Sequence, residues 1–161
     1  MLRATTTTSE KLAIPFDIVV LTHEERHLRR KVLTLQHGDE VLVDLPKAVV
    51  LVHGDRLVLD DGRNIEVIAA EEPLMDVRAA GGSLTEIAWH IGNRHIPAQI
   101  EADRILLQRD HVLRDMLIGL GATVVDVSEP FEPVRGAYHR HGTALAHGHH
   151  NHDHAATDPP S

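Results

Sequence analysis

The chain has 161 residues, 42% of them hydrophobic, which is enough to bury a core in one domain or in two small ones, and we read two. Its formal net charge is -8, from 24 acidic against 16 basic side chains, and that balance argues against a nucleic-acid surface, where phosphates require clustered Lys and Arg. Cysteine is absent, so disulfide frames and thiolate metal sites are excluded and only imidazole and carboxylate ligands remain.

Residues 1–12 are polar and threonine-rich and read as a frayed lead-in. The pattern then changes to six runs rich in Val, Ile and Leu, at 14–21, 31–35, 40–45, 48–52, 55–59 and 64–70, each about strand length. Turn chemistry separates them at Gln36-His37-Gly38-Asp39, Leu45-Pro46, His53-Gly54-Asp55 and Asp60-Asp61-Gly62-Arg63. The charged stretch 22–30 reads as a connector with one short helical turn. These elements predict a small all-β sandwich or barrel-like module over residues 1–72. Glu71-Glu72-Pro73 reads as a seam, because an acidic pair before proline suits neither a ladder nor a helix.

Beyond the seam, residues 74–79 read as a strand that Gly81-Gly82 ends. Ser83-Leu84-Thr85-Glu86 is a capping box, and Leu84, Ile87, Ala88 and Ile91 form one helical face that Gly92-Asn93 and Pro97 terminate. Two short strands follow at 98–101 and 104–108. Asp110 then caps a second helix running to Leu120, with Gly121 in the C′ position and a last strand at 122–127. Strand, helix, strand, strand, helix, strand is the ferredoxin-like βαββαβ order, which we assign to a domain at 73–141. Residues 142–161 form a His-rich tail with too little apolar surface to offset the entropy of ordering, so it is expected to be disordered without metal. The fold class is α+β.

The chemistry is concentrated in histidine. Seven of the 14 histidines, His139, His141, His147, His149, His150, His152 and His154, fall in the last quarter of the chain, interrupted by Gly, Ala, Asn and Asp153 rather than forming the unbroken run of an affinity tag. Neutral imidazoles on a flexible chain bind late first-row divalent ions adaptably and with little selectivity. The second concentration is WHIGNRHIPAQ, residues 89–99, with His90 and His95 five apart across a helix end. Either can be a packing residue. The polar Gly92-Asn93-Arg94 exit leaves room for His95 to project, and a two-fold dimer with His95 near its axis would turn a half-site into a site. His111 and Asp110 at a helix N-terminus are a candidate peripheral site or simply exposed side chains. His23, His27, His37 and His53 read as surface residues. No H-E-x-x-H, G-x-S-x-G or phosphate-loop pattern occurs, so the chain does not read as an enzyme. No apolar run approaches the roughly 18 residues of a membrane span and residues 1–17 have no signal-peptide core, so the expectation is a soluble cytoplasmic protein.

These motifs resemble the urease accessory nickel metallochaperone family UreE. The resemblance lies in His90-x-Gly92-Asn93-Arg94-His95-x-Pro97-x-Gln99, in Asp110-His111-Val112-Leu113 with Met116-Leu117 and Gly121, in Phe131-Glu132-Pro133 followed by Gly136-Ala137-Tyr138, and in the tail. It implies an N-terminal β domain likened to a peptide-binding module, and a ferredoxin-like domain through which two subunits dimerise. It also implies that His95 pairs with its symmetry mate around Ni2+, with tail histidines augmenting the site. A His-Asp-His cluster opens the second helix of some members. Here those positions are Arg109-Asp110-His111, so the first ligand is missing. The family partner is an accessory GTPase that loads apo-urease.

Two other readings remain open from the residues: a His-rich storage or detoxification buffer, and a peptide-binding adaptor whose metal is incidental. Selectivity does not follow from the ligands, because the same imidazoles bind Cu2+ more tightly and Zn2+ comparably.

Overall fold

The computed structural model describes residues 1–135. The first six strands, β1 (Leu2–Thr8), β2 (Asp17–Leu21), β3 (His27–Thr34), β4 (Glu40–Val50), β5 (Arg56–Leu59) and β6 (Asn64–Ala69), form one sheet in the order β2-β6-β5-β1-β4-β3. A single 3-10 turn, Glu24–Arg26, joins β2 to β3 as the sequence predicts. The Gln36 N–H donates to the Ile18 carbonyl at 3.0 Å, so the chain leaving edge strand β3 returns to edge strand β2. The sheet therefore curls around one aliphatic core, in which Ala4, Val41, Val43, Leu57, Ile65 and Val67 are wholly buried.

Three local expectations are corrected. The Thr-rich lead-in is strand β1, placed inside the sheet between β4, to which it is parallel, and β5, to which it is antiparallel. Threonine is β-branched and suits a pleated surface, and Ala4 alone supplies the fully buried contact. Leu45-Pro46 is not a turn but part of the long strand β4. The register jumps there, from Arg30↔Asp44 to Leu28↔Val49, and a proline that cannot donate is accommodated at such an irregularity. Glu71-Glu72-Pro73 does enter a ladder: it opens strand β7 (Glu71–Ala79), where Pro73 pairs with Ser128 and the other neighbour of β7 begins only at Leu74. The proline therefore has no partner strand on one side, where its missing N–H costs no ladder bond.

After β7 come α1 (Leu84–Gly92), β8 (Ala98–Ile100), β9 (Ile105–Gln108), α2 (His111–Gly119) and β10 (Ala122–Pro130). The four strands form a second, antiparallel sheet in the order β10-β7-β9-β8, the split βαβ plan. Ser83 caps α1 by accepting from the Glu86 N–H, and Asp110 caps α2 by accepting from the Leu113 N–H at 2.8 Å. Both helices cover one face of the sheet. Ile87, Ile91, Leu113 and Leu117 bury against Met75, Val77, Ile105 and Leu107.

The segment 131–135 ties the two sheets together. Phe131 is fully buried in a small cluster with Leu74 and Leu106 of the second sheet, and its ring meets the His23 imidazole edge-on at 5.7 Å. Arg26, only 1% exposed, donates to the carbonyls of Leu21, Leu51 and Phe131. The His53 N–H donates to Glu132 at 2.6 Å, the His23 N–H to Glu72 at 2.9 Å, and Arg135 donates to the Val50 carbonyl. On the other side the Val134 N–H donates to the Ala98 carbonyl at 2.8 Å and the Glu132 N–H to the Gln99 side chain at 2.9 Å.

Candidate metal centre

His95 lies at the end of α1. After the last helical residue, Gly92, the winding tightens through bonds from Arg94 N–H to Ile91 and from His95 N–H to Gly92, at 3.1 and 3.2 Å. His95 itself then adopts φ 55°, the only non-glycine residue with positive φ among the described residues. This left-handed position closes a helix end and normally goes to glycine, because an L side chain there costs about 1–2 kcal/mol. The side chain held in this strained position is an exposed imidazole. An unusual φ held in place by its surroundings is a recognised mark of a functional position.

His90 is different. It is half-buried on α1, with its ring edge-on to Trp89 at 5.1 Å, and Trp89 is itself 64% exposed. The rigid sheet beneath is secured on its other face by Arg104. That guanidinium donates to both oxygens of Glu129, at 2.7 and 2.8 Å, to Asp76 at 3.1 Å and to Glu101 at 3.1 Å. Burial alone would raise the Asp76 carboxyl, but hydrogen bonds from Arg78 and Arg104 outweigh it and hold the group below its ordinary value.

His111 is the first residue of α2 and is exposed beside Asp110, whose carboxylate is engaged in capping. Arg109 donates from its side chain to the carbonyls of Leu74 and Val127. The residue standing where a further ligand would open the helix is thus a structural tie to β7 and β10. Among the described residues no three His, Asp or Glu side chains come together as a metal-holding group. The tail histidines His139, His141, His147, His149, His150, His152 and His154 lie outside the described residues. Among the described residues no helix is long and apolar enough to cross a membrane.

Residue-type reasoning overlooked the junction. Arg26 reads as one more charge in a connector, and only tertiary contact shows that its guanidinium is buried among carbonyls. The Phe131-Glu132-Pro133 motif is the one sequence signal pointing there.

The fold and these side chains define a class: a curled β domain locked to a βαββαβ domain that presents, at its helix ends, exposed imidazoles with no hydrogen-bond partner among the described residues. Comparison with known proteins makes this specific. The model of the UreE urease accessory protein N-terminal domain matches residues 1–70, and that of the C-terminal domain matches residues 72–157. The chain is 61% identical over 124 residues to the urease accessory protein UreE of Mesorhizobium japonicum, covering 76% of this chain and 63% of that protein. It is 56% identical over 143 residues to the protein of the same name from Rhizobium leguminosarum bv. trifolii, covering 87% and 71%. With that of Agrobacterium fabrum it shares 56% over 140 residues, covering 86% and 83%. The chain belongs to the urease accessory protein UreE family. It spans 63% of the length of the Mesorhizobium relative.

Proposed function

We propose that this chain is a cytoplasmic nickel metallochaperone: a homodimer that holds Ni2+ between two His95 imidazoles, supplements them with tail histidines, and passes the ion to the urease maturation GTPase and apo-urease. In this reading residues 1–72 form a peptide-binding-like domain that meets the partner proteins, 73–141 a ferredoxin-like domain that binds metal and dimerises, and 142–161 a ligand-bearing tail. Family membership supports a role in urease maturation, which is an accessory rather than a catalytic role.

The observation that carries the reading is the placement of His95. It is exposed, it stands at a strained position where glycine would be easier, and the described residues supply no complete ligand set around it. A second copy related by two-fold symmetry would supply the matching imidazole. The strap adds support. Glu132 lies beside Gln99 and Val134 beside Ala98, so the chain runs back along β8 towards His95. His139 is the fourth residue after Arg135, a span of at most about 14 Å.

Tail ligands that come and go give the ion a low-barrier path to an acceptor, whereas a fixed four-ligand cage would retain it. His111 and Asp110 form at most an auxiliary site, since Arg109 is committed to carbonyls. The same imidazoles are expected to accept Zn2+ and Cu2+ as well in vitro.

The test is calorimetric titration of nickel with the dimer mass followed in parallel. His95→Ala is expected to abolish the tightest site and lower the metal-to-dimer ratio while leaving the dichroism spectrum unchanged. Truncation after Gly142 is expected to retain that site with weaker binding. An unchanged tight site in His95→Ala would rule the reading out, and loss of nearly all binding on truncation would establish a tail-based storage buffer instead.

A further inference from the structure

The four histidines of the first domain differ in what their ring nitrogens are doing. In His53, Nδ1 accepts from the Ala69 N–H at 3.1 Å, so the neutral ring carries its proton on Nε2 and has no lone pair left for a metal. In His37, Nδ1 faces the buried Asp17 carboxylate at 2.8 Å, which leaves Nε2 free on a side chain that is 77% exposed, but its neighbour is a carboxylate and not a second imidazole. In His27, Nδ1 lies 3.1 Å from the His23 carbonyl. A carbonyl oxygen only accepts, so this Nδ1 holds the proton and Nε2 keeps its lone pair, the same outer-sphere arrangement that orients metal-bound histidines elsewhere. The His23 ring makes no hydrogen bond among the described residues and is held edge-on between His27 and Phe131.

The geometry points to a second metal site, in which His23 and His27 chelate one late first-row divalent ion at the junction of the two domains. With metal–nitrogen bonds of about 2.0–2.1 Å and a bond angle between square and tetrahedral, two imidazoles on one ion place their ring centroids roughly 4.5–5.2 Å apart. The observed separation is 4.8 Å, with the ring planes 77° apart. His23 precedes and His27 follows the 3-10 turn Glu24–Arg26, and this turn brings the two rings together although His27 already belongs to β3. Water fills the remaining positions.

The electrostatic surroundings are mixed. The His23 imidazole is half-buried, with the side chains of His27, Arg26 and Arg135 near it. The same two arginines oppose a bound cation. Their guanidinium groups are nevertheless turned into the carbonyls of Leu21, Leu51 and Phe131 and of Val50, and the carboxylates of Glu24 and Glu72 lie alongside. Moderate affinity follows, weaker than a closed three- or four-ligand site. The pair occupies the other domain from His95 and does not depend on the function proposed for it.

Nickel titration of the full-length protein, followed by the assigned histidine ring signals in NMR, tests the site directly. The His23 and His27 signals are expected to broaden together, before those of His37 and His53. In His27→Gln, an exposed position, broadening at His23 should require at least about tenfold more nickel, since losing a ligand costs no less than losing an outer-sphere partner. The wild-type chain supplies a check that needs no variant: nickel should protect His27 from carbethoxylation. His23 and His27 signals that persist while the His95 signal disappears would overturn the site, as would equal broadening of His23 with and without His27. Broadening of the pair that survives in His95→Ala would establish it independently of the interface site.

Discussion

In the first domain the Arg26, Asp17 and His53 side chains are joined to backbone, whereas in the second the His95 and His111 rings stand at helix ends with no hydrogen-bond partner among the described residues. Arg26 at the junction is bonded to carbonyls, Asp17 in the curled sheet to the Ile18 and His37 N–H groups and the His37 ring, and the His53 ring accepts from a backbone N–H. In the βαββαβ domain the polar work falls to Arg104 and Arg109, while His95 and His111 project from the ends of α1 and α2. The same residue type is thus part of the scaffold at His53 and keeps its ring nitrogens free at His95 and His111 among the described residues. What separates the two cases is whether a ring nitrogen lone pair is already taken, and composition carries no information about that.

Replacing Arg26 would break this contrast most severely. Arg26→Met leaves the Leu51 and Phe131 carbonyls without their donor, removes one of the two donors to the Leu21 carbonyl, and releases the tie between Phe131 and the first domain, so we expect a loss of roughly 2 kcal/mol or more in urea unfolding. A loss below about 1 kcal/mol would mean that the junction is solvated and the tie cosmetic.

The converse is expected at His95. His95→Gly relieves a left-handed position of its side chain, so the variant should be as stable as the parent or more stable by up to about 1 kcal/mol, while the nickel site proposed there should be lost. Thermal melting and titration on the same sample decide it. A destabilised His95→Gly would show that the imidazole contributes to packing, and the contrast between domains would weaken.

Acid sharpens the comparison with the smallest effect. Asp76 is held below its usual value of 3.8, so its contribution to stability is complete above that value and is lost as pH falls through the lower, folded-state value. Unfolding midpoints measured from pH 5 down to pH 2 should fall, and Asp76→Asn should flatten that limb. An unchanged slope in the variant would shift the acid sensitivity to Asp17, likewise held low in the first domain.

Most of the second domain was legible because its signals are local. The Ser83 and Asp110 caps, the i, i+3, i+4 spacing of Leu84, Ile87, Ala88 and Ile91, and the stops at Gly92 and Gly121 each act within one or two turns. The first domain was harder. The pairing of β1 between β4 and β5 joins residues more than 35 positions apart, and a threonine run carries no period that announces it. Pro46 and Pro73 look like breaks until the ladders beside them are known, because a proline's tolerance depends on which side of the strand has a neighbour.

By itself the sequence determined the chemistry available: imidazole and carboxylate ligands without thiolate, two capped helices within a βαββαβ order, and a histidine closing a helix. These follow from residue identity and short-range spacing. Only the tertiary structure decided which histidines keep a free nitrogen, that position 95 is left-handed, and that Arg26 and Phe131 join the two sheets. Each of those depends on a group brought near from a distant part of the chain or on a backbone angle, and neither is encoded in a residue's own type.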